Sequence, residues 1–222
     1  MADVFEDLVT ETDALLALAE RHGYGPGLRP DVTTHFARLT STARLVRLAV
    51  ETPEAFGVTP QVAYRSLDEA LLTWLAEQRK ANAVLAAAAP EEPLPWRGGP
   101  LRPSVLAAAA LTEVFACGQD IADALDAPLD RGDSVGHVAY YCVRTRDDAY
   151  RRHQRRVPDG PFRFELTAPS GLVWTFGPED VADRVTGPAV GFCLLATGRR
   201  DPGEAGVTAV GGQAGEWLHL RR

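Results

Sequence analysis

The chain has 222 residues, a formal net charge of −7, and 45% hydrophobic against 24% charged residues. These ordinary globular proportions exclude a disordered or fibrous protein and leave room for one large domain or two small ones. The negative balance argues against non-specific nucleic-acid binding, and the three scattered cysteines, Cys117, Cys142 and Cys193, argue against a disulfide framework or a CxxC zinc site, so reduced thiols are expected.

The opening MADVFEDLVTETDALL begins with acids and lacks a basic region followed by an apolar one, so no secretory signal is read there. From Val4 onward Phe5, Leu8, Leu15, Leu16 and Leu18 keep helical spacing, and the glycines Gly23, Gly25 and Gly27 end this first helix. Asp31 is the expected N-cap of a second helix, striped by Phe36, Leu39, Leu45 and Leu48 and broken at Thr52 and Pro53. A third, over residues 59–89, carries Val62, Leu67, Leu71, Leu72, Trp74, Leu75, Val84 and Leu85. The Pro- and Gly-rich stretch PEEPLPWRGGPLRP makes a crossover loop. A fourth helix follows over residues 104–126. Its apolar run from Val105 is Ala-rich and interrupted by Glu113, which reads as a buried helix rather than a membrane span.

Four amphipathic helices bury their stripes as a bundle, and sites in bundles form where side chains of facing helices share the interior. A connecting helix over residues 137–156 ends in the basic run RRHQRR, read as a solvated helix end. The period then changes. Phe162, Phe164 and Leu166 alternate in FRFELTA, and LVWTFG alternates again after Pro169, Ser170 and Gly171, predicting a β-hairpin. Residues 178–200 return to helical spacing, broken at Gly187 and Pro188, with Asp180, Asp183 and Arg184 expected to cap and pin that helix. A last short strand or helix ends near Leu220. The expected architecture is α+β: a helical bundle with its connecting helix over residues 1–156, then a small α/β domain over residues 157–222.

Chemistry concentrates on the fourth helix. Glu113 and Cys117 stand at i and i+4, and Asp120 at i+7, so all three occupy one face of an otherwise apolar helix. A polar row there costs free energy unless it is solvated, paired or used. On the second helix His35 and Arg38 share a face and can meet Glu113 across the bundle. A buried Arg–Glu pair is the plain outcome, because a guanidinium is no metal ligand. His137 opens the connecting helix as a candidate cleft residue or a capping or core histidine.

The run EVFACGQDIADAL resembles the helix of the DinB-like, mycothiol-dependent maleylpyruvate isomerase superfamily, whose pattern is Glu, three residues, His, Gly, then Asp two residues on. HVAYYCVRTRDDAY, FELTAPSGLVWTFGPEDVADRVTGP and FCLLATGRR resemble the C-terminal part of an actinobacterial branch of metal-binding proteins in that superfamily, so the resemblance covers most of residues 100–222. TPEAFG at residues 52–57 sets the register of the second helix, although the usual Gly-Trp-Thr opening is missing. The resemblance implies a DinB-like four-helix bundle and puts the three metal-ligand positions at Arg38, Glu113 and Cys117. Both histidines are replaced and only the carboxylate is kept, which implies a degenerate metal site.

The expected function is accordingly that of a metal-independent, cytoplasmic enzyme of small-molecule, specialised metabolism, catalysing an isomerisation, cyclisation or related addition by positioning and acid-base groups. Glu113, Arg38 and Cys117 are the catalytic candidates, and His35, Asp120 and His137 the substrate-binding ones. No metal, cofactor, membrane or nucleic-acid partner is expected. Two rivals stand beside it: a mycothiol-dependent isomerase or S-transferase retaining a metal, for which His35, Glu113 and Cys117 are a chemically acceptable zinc set, and a non-catalytic small-molecule binding or resistance protein. Substrate and oligomeric state are not legible.

Overall fold

The structure, a computed structural model, describes residues 3–22, 30–57 and 63–221, and the fold is α+β. The chain divides between residues 130 and 131 into two compact units.

In the first unit the helices are α1 (Val4–His22), α2 (Pro30–Glu51), α3 (Leu67–Ala87) and α4 (Pro103–Leu125). α2 packs on both α3 and α4, and α1 packs on α4. Apolar spacing accounts for all four. Leu8, Leu15 and Leu18 of α1, Phe36 and Leu39 of α2, Trp74 and Leu85 of α3, and Leu111 and Phe115 of α4 are fully buried. Phe36 and Trp74 meet with ring centroids 5.2 Å apart.

The ends follow local chemistry. α3 starts at Leu67, later than the expected residue 59, because Ser66 caps it: its hydroxyl accepts from the Glu69 N–H, and the Glu69 carboxylate accepts from the Arg65 N–H. α4 begins at Pro103, where a missing N–H costs nothing, and stops at Asp126, whose φ of 50° leaves the helical region. The expected N-cap Asp31 lies inside the first turn of α2. The glycine turn after α1, and Thr59 to Val62 at the expected start of the third helix, lie outside the described residues.

α4 is the buried helix expected, but not because its apolar run falls short of a span. By length and composition Pro103–Leu125 is apolar enough to cross a bilayer despite Glu113. What makes it a core helix is packing, since 72% of its most apolar window is buried within the protein.

The second unit begins earlier than residue 157 and takes the connecting helix with it. That helix is two pieces, α5 (Val135–Arg144) and α6 (Asp148–Arg152), and α5 packs on α7, which fixes its membership. β1 (Arg163–Thr167) and β2 (Val173–Phe176) form the expected antiparallel hairpin, Leu166 opposite Trp174. Its turn closes with the Ala168 N–H on the Leu172 carbonyl at 2.7 Å, and Gly171 supplies the left-handed residue, φ 87°.

Residues 178–188, expected to be helical, hold instead β3 (Arg184–Pro188), parallel to β1 with Phe164 opposite Val185. Helical spacing of Val181 and Val185 could not reveal a strand buried beside β1. α7 (Ala189–Ala196) follows, then α8 (Pro202–Ala205), β4 (Thr208–Val210) and α9 (Gly212–His219). The sheet order is β2-β1-β3-β4. Asp183 and Arg184 do not pin the helix after the hairpin. The Asp183 carboxylate accepts from the Gln213 and Ala214 N–H groups at 2.9 and 2.8 Å, capping α9, and Arg184 pairs with Glu165 at 3.1 Å. Phe164, Phe192 and Trp217 pack edge to face and stacked at 5.5 to 6.1 Å to form the core.

Tyr150 ties α6 to α9: fully buried, it donates to the Gln213 carbonyl at 2.7 Å. Burial, reinforced by the Glu216 carboxylate, pushes its pKa up to about 12. A raised folded-state pKa stabilises below the unfolded value of about 10 and is lost as pH climbs through the folded one. Alkaline denaturation followed by circular dichroism should therefore show wild type losing about 2 kcal/mol between roughly pH 10 and 12. Tyr150→Phe should be about 1 kcal/mol less stable at neutral pH but nearly flat across that window.

Candidate functional site

Helices α2 and α4 present the polar row to each other. Arg38 meets Glu113, and three residues earlier on α2 His35 meets Asp120, seven residues later on α4. Rising numbers on one helix match falling numbers on the other, so the two run antiparallel here. The i, i+3 and i, i+7 spacings then place two contacts on one seam.

The Arg38 guanidinium donates through Nη2 to Glu113 Oε2 at 2.8 Å. The pair sits at the protein surface, with side-chain exposures of 51% and 27%. Burial lowers the Arg38 pKa, but the acidic groups of Cys117, Glu113 and Asp120 more than offset this and raise it above its ordinary value. The cation is therefore permanent at any working pH. His35 Nδ1 lies 3.6 Å from Asp120 Oδ2, both side chains about a quarter exposed. Cys117 is fully buried behind them on α4. The histidine of α5, His137, belongs to the second unit and is half-buried there.

Two donor sets bear on a metal. The positions implied by the superfamily resemblance, Arg38, Glu113 and Cys117, do not fit one: a guanidinium has no lone pair to give, and Glu113 is held by it. A different trio, His35, Cys117 and Asp120, brings its ligand atoms within 4.8 Å of one another. Nitrogen, sulfur and oxygen donors suit zinc. Arg38 adjoins this trio, however, since Cys117 and Asp120 both act on its charge, and a guanidinium there repels a divalent cation. Helical spacing had already placed Cys117 and Asp120 on one face, but it had offered Glu113 rather than Asp120 as partner for His35.

Because water reaches the Arg38–Glu113 pair, its worth is that of a partly exposed ion pair, about 0.5–1 kcal/mol, well short of a buried one. Arg38→Ala and Glu113→Ala should each lower the urea-unfolding free energy by roughly that amount, and the double variant should lose less than the sum. Strict additivity would show that the two side chains do not act on each other in solution.

No protein-family model matches the sequence. The chain is 36% identical over 180 residues to two Mycobacterium tuberculosis proteins, Uncharacterized protein MT0041 and Uncharacterized protein Rv0036c, an alignment covering 80% of this chain and 70% of each of theirs. Among solved structures it is similar to a histidine-to-alanine mutant of mycothiol-dependent maleylpyruvate isomerase, with a TM-score of 0.54 over 93% of this chain and 91% of that one. At 14% identity that likeness shows the fold, which is the one expected from EVFACGQDIADAL. By identity and coverage together, the chain belongs to the family of the two mycobacterial proteins.

Proposed function

We propose that this protein is a metal-independent enzyme of small-molecule metabolism that catalyses an isomerisation, cyclisation or related addition at the α2–α4 seam. The observation that carries the reading is the Arg38–Glu113 pair at 2.8 Å, a fixed cation and a titratable carboxylate side by side and open to solvent.

A guanidinium carries five N–H donors, and Glu113 engages the Nη2 group. The others serve to hold the carboxylate or carbonyl oxygen of a substrate. Glu113 then takes a proton from the carbon beside that carbonyl and returns it at another position, while Arg38 stabilises the negative charge that develops on oxygen. The step is a proton relocation, balanced in atoms and electrons. His35, one turn from Arg38, and Asp120, two turns from Glu113, line the same seam and orient the substrate. The complete burial of Cys117 supports a role as the wall of the site rather than an attacking thiol.

A second reading draws on the His35, Cys117 and Asp120 trio: a thiol-dependent isomerase or S-transferase that retains a metal. The fold it shares with mycothiol-dependent maleylpyruvate isomerase supports either reading.

Elemental analysis of the purified protein separates them, with well under one transition metal per chain expected and a melting temperature indifferent to chelator. One tightly bound zinc per chain, or turnover of maleylpyruvate that requires mycothiol, would establish the second reading instead. Native mass spectrometry after incubation with a panel of small keto and hydroxy acids should show one retained or converted. On that substrate Glu113→Gln should fold normally and lose about 10²–10⁴-fold in kcat. Retention without conversion would make the protein a binder, and full activity of Glu113→Gln would move the site elsewhere.

A further inference from the structure

A second cationic site lies in the other unit. Arg221, just beyond α9, turns its guanidinium inward: Nη1 donates to the carbonyl of Ala196, the last residue of α7, at 2.6 Å. The guanidinium carbon stands 5.4 Å from the centre of the Trp217 ring. Its Nε is buried and has no hydrogen-bond partner among the described residues. Beside it opens a pocket of about 160 Å³, lined by Arg152, His153, Thr197, Gly198 and Arg221 among others.

The charge balance in this pocket is positive. Burial holds the Arg221 pKa below its ordinary value, and the Arg152 cation pushes it further down against the opposing pull of Cys142 and Asp148. Asp148 is engaged elsewhere, its carboxylate paired with Arg151 at 2.8 Å. Among the described residues no carboxylate reaches Arg221 within ion-pair distance. The carbonyls ending α7, which would repel an anion, are covered: Arg221 donates to Ala196 and Arg199 to Thr197.

A part-buried cation with an unused donor is costly to keep without a counter-charge. A guanidinium edge is also the planar fork that matches a carboxylate or phosphate. We propose that this pocket binds a small oxyanion, the phosphate or carboxylate group of a metabolite, on Arg221 with Arg152 and His153 at the mouth. Its volume suits one such group and not a whole cofactor.

Calorimetric titration of the full chain in chloride buffer tests this, with inorganic phosphate in one arm and acetate in the other at matched ionic strength. Saturable binding of one ion per chain is expected, with a Kd on the order of 1 mM or tighter. The arm that saturates names the group, phosphate or carboxylate. Arg221→Met should weaken it about tenfold or more, and Arg152→Gln, an exposed change that leaves the fold alone, about threefold. Arg156→Gln, whose partner is Asp159 at 2.6 Å, should leave binding unchanged. No saturation in either arm up to about 50 mM would overturn the proposal. So would an Arg152→Gln variant that binds like wild type, or equal weakening by Arg156→Gln, which would mean diffuse charge attraction. Should Arg221→Met fail to fold, the Arg152→Gln and Arg156→Gln comparison still decides.

Discussion

A guanidinium cannot shed its charge, so wherever the fold puts one it must be paired, wetted or both. Arg38 is both. It leans on Glu113 across the α2–α4 seam and keeps about half its surface in water. That arrangement governs what the neighbouring groups can do. It ties up the Glu113 carboxylate. It also stations a fixed positive charge beside Cys117 and Asp120, where a divalent ion would otherwise find its softest and hardest donors.

The buried sides of α4 combine a run of small residues with the larger Leu106, Leu111, Val114, Phe115 and Ile121. Ala107, Ala108, Ala109 and Ala110 are all buried, and short side chains let α1 and α2 approach α4 closely without strain. A helix so packed can carry Glu113 and Asp120 only along the stripe where its neighbour leaves a gap to solvent. Antiparallel packing of α2 brings His35 and Arg38 to that stripe in register. The cost of a polar row on an apolar helix is met by pairing and partial hydration rather than by burial.

The second unit solves a different problem. Its sheet has β1 and β3 at the centre, parallel, and short antiparallel strands at the edges. Phe164, Phe192 and Trp217 supply a core that four short strands could not provide alone. At Gly191 an added Cβ would overlap the Ala205 carbonyl oxygen, so the close approach of α7 to α8 depends on that glycine. Where α6, α7 and the end of α9 meet, Arg152 and Arg221 stand close together, and among the described residues no carboxylate pairs with Arg221.

By itself the sequence determined the four bundle helices, the hairpin, the α+β class, and the face shared by Glu113, Cys117 and Asp120. These follow from period and spacing, which are local properties of a chain. Arg38 opposite Glu113 was legible too, through the register that TPEAFG lends to the second helix. Only the tertiary structure decided that α5 and α6 belong with the sheet, that residues 184–188 are a strand, and that His35 faces Asp120 rather than Glu113. The physical reason is the same in each case: a short buried segment takes its conformation from the neighbours it pairs with. β1 is the partner that makes β3 a strand, α7 is the surface that claims α5, and the offset between α2 and α4 selects the carboxylate that His35 meets. None of these partners lies within reach of a local pattern, because each is brought close only when the chain has folded.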